Sequence, residues 1–227
     1  MVTFHRSIAI PTLLVIFYAC SEPKPGPIRE LARIGLSVNA QDFIWAAEGT
    51  EPRVIGYFLA AGMDPNVIGR SGQTALCVAA AKGSTSIVRF LLEAGAEPNI
   101  RPDDGETALI QAAERGHADI VRMLLGGGAN PDIQSMSGET ALIEAAESGH
   151  SETVAVLLRV TKDPNVQDRV KGHTALMAAA AGNHADTVRT LINAGVKRGI
   201  PDVSGLTPLQ LARKSGYFDV VRQLVIP

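Results

Sequence analysis

The stretch GETALIQAAERGH at residues 105–117 returns as GETALIEAAESGH at residues 138–150, 33 positions later. Its two threonines belong to a longer series, Thr74, Thr107, Thr140, Thr174 and Thr207, spaced by 33, 33, 34 and 33 residues. Each is followed by Ala or Pro, then Leu, then an Ala pair or its equivalent. A second series, Pro65, Pro98, Pro131 and Pro164, keeps the period of 33 throughout, inside DPN, EPN, NPD and DPN. Self-similarity at this period means a solenoid, in which each copy is the hydrophobic partner of the next.

Within one unit, Ala108, Leu109, Ala112 and Ala113 form one apolar stripe at helical spacing, and Gly116 supplies a residue able to turn left-handed and end the helix. A second helix follows in ADIVRMLL, where Ile120, Val121, Leu124 and Leu125 make a broad apolar face that stops at Gly126–Gly128. The tract between units, such as NIRPDDGE, is rich in Pro, Gly and Asp and suits an extended turn.

These residues closely resemble the ankyrin-repeat family, whose pattern runs G-x-T-P-L-H-x-A-A-x-x-G-H-x-x-I-V-x-x-L-L-x-x-G-A. The resemblance implies an all-α ankyrin-repeat solenoid of about five helix pairs plus an N-terminal half repeat, with short hairpin-like loops between repeats. It covers residues 28–227. The chain departs from the pattern in places. Only Thr207-Pro208 keeps the Thr-Pro pair, and the family's first His becomes Cys77, Ile110, Ile143, Met177 and Gln210. Asn183 stands for a helix-ending glycine, and Thr161 stands where a second glycine belongs. One added residue near Val170 makes 160–173 the irregular part of the stack. At the N-terminal end, IRELARIGLSVNAQD (28–42) matches a second helix, and FIWAAEG then starts a first helix with the intervening finger largely deleted. Phe43, Trp45, Tyr57 and Phe58 are expected to close this end of the core.

Residues 1–21 read as an export signal: Arg6 without an acid, an apolar run at 8–19, then small residues and the proline-rich SEPKPGP. A bilayer span takes roughly 20 residues, so this run is too short for one. Two processing routes fit. FYAC resembles a bacterial lipobox with Cys20 as the lipidated residue, and Ala19-Cys20-Ser21 suits cleavage before Glu22. Residues 22–27 then form a linker, and the mature protein lies in the bacterial periplasm or envelope. The chain has no Asn-x-Ser/Thr sequon, which favours that compartment over a glycosylating one.

Composition narrows the chemistry. The chain of 227 residues is 46% hydrophobic and 19% charged, enough apolar content to fold, and its net charge of −2 lacks the basic surplus that nucleic-acid binding needs. With only Cys20 and Cys77, no disulfide framework arises. His117, His150 and His184 occupy equivalent positions in successive repeats, roughly 10 Å apart by helix packing, too far to share one metal. Their expected role is structural. Glu114 and Glu147 are likewise repeat-equivalent, without a nucleophile or pocket beside them. GGGAN lacks the Lys and Ser/Thr of a phosphate loop, and Cys77 reads as a small core residue. No catalytic residue, cofactor or metal is expected.

A surface remains. The resemblance implies partner binding through a concave face made of the loop tips and the exposed positions of the first helices. Carried onto this chain, those positions are Arg70 and Gln73; Asp103, Asp104, Glu106, Glu114 and Arg115; Met136, Glu139 and Glu147; and Arg169, Val170, Lys171 and His173. The two middle units are mostly acidic, which suits a partly basic partner protein. The leading expectation is a non-catalytic protein-binding module, monomeric when free, that binds and inhibits or otherwise regulates an exported enzyme such as a peptidoglycan hydrolase. The alternatives are an accessory factor for an exported detoxifying enzyme such as a catalase, suggested by resemblance to exported bacterial ankyrin proteins, and a secreted host-directed effector.

Overall fold

The computed structural model describes residues 26–49, 51–70 and 72–225. The expected signal segment with Cys20, and most of the linker 22–27, lie outside the described residues. Among those described, the chain begins with α1 (Pro27–Arg33) and continues as six antiparallel helix pairs. The pairs are α2 (Ala40–Ala46) with α3 (Pro52–Ala60), α4 (Ala75–Lys82) with α5 (Thr85–Glu93), α6 (Ala108–Glu114) with α7 (Ala118–Gly126), α8 (Ala141–Glu147) with α9 (Ser151–Leu157), α10 (Ala175–Ala181) with α11 (Ala185–Asn193), and α12 (Pro208–Ser215) with α13 (Phe218–Val225). First helices α2, α4, α6, α8, α10 and α12 pack in one row, and second helices, from α1 to α13, in the other.

The caps explain where these helices start. Thr74, Thr107, Thr140 and Thr174 sit extended before each first helix, and their side chains accept from the backbone N–H three residues on. Thr207 makes a reciprocal capping box with Gln210, the residue standing where the family has His. Asn183 takes the left-handed conformation at φ 61°, the one non-glycine to do so among the described residues. Small residues set the repeat spacing: Ala79, Ala112, Ala145, Ala179 and Ala212 are fully buried between neighbouring first helices.

Three expectations need adjustment. The five threonine-capped pairs are present, but a sixth precedes them: α2 and α3 pair despite the missing finger, because Asn39 substitutes as the cap, accepting from the Asp42 N–H at 2.9 Å. Phe43 and Phe58 do close the core, with ring centroids 5.4 Å apart, but Trp45 is 59% exposed. It borders an open groove of about 450 Å³ with Ile34, Leu36 and Val54, since α1 has no described first helix beside it to cover that side of α2. The 160–173 segment is irregular yet tied down. Thr161 Oγ1 donates to the Leu157 carbonyl as α9 ends early, and buried Asp168 accepts from the N–H groups of Val170, Lys171 and His173 at 2.6–2.8 Å. Burial alone would raise the Asp168 carboxyl, but these donors outweigh it and hold the group below its usual range.

Candidate protein-binding face

The first-helix row and the fingers before it form one side of the stack, and the acids gather there. Glu106 and Glu139 precede the caps of α6 and α8, half-buried. Glu144, four residues beyond Thr140 on α8, lies beside them. Burial first, then the charge and hydrogen bond of Glu139, then Glu106 and Glu114, push the Glu144 carboxyl from 4.5 to about 8. Glu106 is also raised, by burial and then by Asp104, Glu114 and Glu139. Two cations border the cluster: Arg115 lies 3.5 Å from Glu114, and Lys171 Nζ bonds Glu147 at 3.1 Å, which raises the lysine further.

Towards the N-terminus the face becomes neutral. Gln111 Nε2 donates to Gln73 Oε1 at 2.9 Å, and Gln73 Nε2 donates to Asp104 Oδ2 at 3.1 Å, so these three side chains bridge two repeats. Arg70, Asp103, Met136 and Arg169 stand exposed on the fingers, with the Asp103 carboxylate packed over Gly72. His173 is placed differently. Its ring is only 13% exposed and points at Asp202, 3.8 Å away, so it supports the next finger more than it faces solvent.

Glu144 and Gln111 were not among the sequence-derived site residues. A signal for them exists: in ALIQAAE and ALIEAAE each is the one polar residue inside an apolar run, at the same repeat position. The histidine row is structural as read. The Nε2 atoms of His117, His150 and His184 hydrogen-bond the carbonyls of Ala81, Glu114 and Glu147 in the preceding repeat, at 3.3, 3.0 and 2.8 Å. Each ring sits where a side chain is missing; a Cβ on Gly116, at φ +74°, would come within 2.5 Å of His150. Cys77 is buried beneath the fingers and its thiol is raised by that burial. No group of three or more His, Cys, Asp or Glu among the described residues is arranged to hold a metal. No described helix is long and apolar enough to cross a membrane.

Stacked helix pairs and the capped first helices between their loops define a repeat protein of the interaction class. The chain belongs to the ankyrin-repeat family: it matches the family described as ankyrin repeats (3 copies) over residues 16–102, 43–135, 95–168 and 142–227. Among solved structures it is similar to an ankyrin repeat domain from Acinetobacter baumannii AYE, with 32% identity, a TM-score of 0.73, and coverage of 81% of this chain and 95% of that one. No curated protein matches the sequence.

The Glu144 environment gives a measurable pH dependence. A carboxyl whose folded value lies above its unfolded value binds its proton more tightly in the native state. The contribution of Glu144 to stability is therefore greatest below about 4.5, falls as pH rises towards about 8, and then levels. Glu144→Gln should flatten that slope. Allowing for the partial exposure of the group, we expect a gain of about 1–2 kcal/mol at pH 8.5, or about 2–8 °C in melting temperature. Superimposable melting curves for the two proteins across pH 5 to 8.5 would rule the effect out.

Proposed function

We propose that this protein is a non-catalytic docking module whose acidic concave face seats a basic patch of a partner protein, blocking or steadying that partner. The carrying observation is the gathering of Glu106 and Glu139 around Glu144, whose carboxyl is pushed up to about 8 first by burial and then by these neighbouring acids. Like charges held this close oppose folding, and a partner cation placed among them would relieve the repulsion while gaining attraction.

The export signal read in residues 1–21 makes the partner an exported enzyme, a peptidoglycan hydrolase in the first instance, since a rigid curved face laid across a cleft obstructs it. The test is capture of partners from the envelope fraction on the immobilised protein, at low and high salt, alongside the intact mass of the mature chain. A lipidated Cys20 start or a Glu22 start supports export, and a salt-sensitive basic partner supports the face. A cytoplasmic protein that keeps Met1 removes the exported partner; capture that is indifferent to salt removes the electrostatic reading.

A further inference from the structure

An offset of 60 residues lays IRELARIG (28–35), which holds α1, on VRFLLEAG (88–95), which holds most of α5. The structure bears this register out. Leu31 and Leu91 are both fully buried, and Gly35 and Gly95 both turn left-handed, at φ 81° and 89°. Ile28 then holds the place of Val88, a position fully buried in Ile55, Val88, Val121, Val154 and Val188. Ile28 itself is 62% exposed. Val54 shows the same gap: it lines the groove beside Trp45, half-buried, while its equivalents Ile87 and Ile120 are buried. What this end of the stack lacks is a cover in the place of a first helix.

The same offset, carried back without a gap, supplies one. It lays LVIFYAC (14–20) on TALCVAA (74–80). Ile16 and Phe17 fall on Leu76 and Cys77, and Ala19 and Cys20 fall on Ala79 and Ala80, all four of which are buried. Small side chains at the last two places let a first helix approach its neighbour closely, as the buried alanines of the other pairs do. The ankyrin match also begins ahead of α1, at residue 16. Residues 23–26 link this segment to α1 and reach up to about 13 Å, more than the roughly 8–10 Å between packed helices. Because the segment is tethered beside the groove, it meets it at a higher effective concentration than a second copy or a foreign chain does.

The segment lies outside the described residues, and the register is what places it. We propose that in the unprocessed chain residues 15–22 close the groove over Trp45 as the first helix missing from the α1 pair. Cleavage before Cys20 or before Glu22 takes away Ile16, Phe17 and Ala19, so the groove is closed before processing and open after it. The inference goes beyond the concave-face reading and uses neither its acids nor its partner.

Trp45 is the single tryptophan of the chain, so its fluorescence reports on this groove alone. In the unprocessed protein of 227 residues, acrylamide should quench Trp45 roughly threefold less than in the double variant Ile16→Ser, Phe17→Ser, because a covered ring is reached only when the cover opens. Cys20, at the place of buried Ala80, should resist a thiol reagent in the parent and react in the variant, while Cys77 stays buried in both. The six described pairs contain neither changed residue, so both proteins should keep a cooperative melt. Leu13→Ser, at the place of Gln73 ahead of the helix, should change neither readout. Equal quenching in parent and double variant, equal Cys20 reactivity in the two, or an equal effect of Leu13→Ser overturns the closure. So does shielding of Trp45 that rises with protein concentration, which marks a second copy over the groove. Export is read separately, from the mass of the mature chain, so either reading can fail alone.

Discussion

Ala112→Asp is expected to lower the melting temperature by about 6–12 °C, or to split the melt into two transitions. Ala112 is fully buried on α6, which packs between α4 and α8, and its counterparts Ala79 and Ala145 are equally buried. A carboxylate there has neither room nor partner. The penalty of burying it, about 3 kcal/mol or more, converts to that shift for a chain of this size. The splitting follows from solenoid architecture. Each repeat is stabilised by its neighbours alone, so a failed central interface lets the flanking blocks melt separately. Ser86→Asp, exposed in the first turn of α5, is the control and should move the melt little. A single cooperative transition within about 2 °C of the parent would contradict the stacking scheme.

Reversing charge on the concave face should affect binding as strongly as Ala112→Asp affects stability. Glu106→Lys, Glu114→Lys and Glu139→Lys together should weaken the captured partner at least tenfold at low salt and abolish the salt sensitivity of what remains, because screened attraction between opposite charges is the term removed. The fold should tolerate the change. Burial first and neighbouring acids next raise both Glu106 and Glu144, so removing those acids relieves the repulsive part of the shift. The matched control reverses Glu93 and Glu97, exposed at the C-terminal end of α5 and in the loop beyond it. If that control loses the partner while the concave variant keeps it, the protein docks through its opposite side.

The capped pairs were legible in the sequence because their determinants are local. A threonine accepts from a backbone N–H three residues on, a glycine or Asn183 turns left-handed at a helix end, and an apolar stripe repeats within one turn. All of these act over a handful of residues, and the period of 33 multiplies the signal. The period also showed Glu114 and Glu147 to be repeat-equivalent, while the family resemblance is what implied that they share a binding surface with Glu106 and Glu139.

What the sequence left undetermined depends on distances between residues about 30 apart, which stacking alone sets. Trp45 reads as core by type, yet it is exposed because α1 has no described first helix next to it. His173 reads as surface by position, yet it is enclosed because Asp202 of the next finger lies against it. The order of 160–173 comes from Asp168, whose carboxylate gathers backbone donors only once the loop has closed. Glu144 shows the distinction most clearly. In the chain it is one glutamate in an apolar run, but in the fold the burial of α8 and the approach of Glu139 and Glu106 hold its proton to about 8. Propensity and periodicity carry no information about a neighbour's electric field, so that property exists only after the repeats have packed.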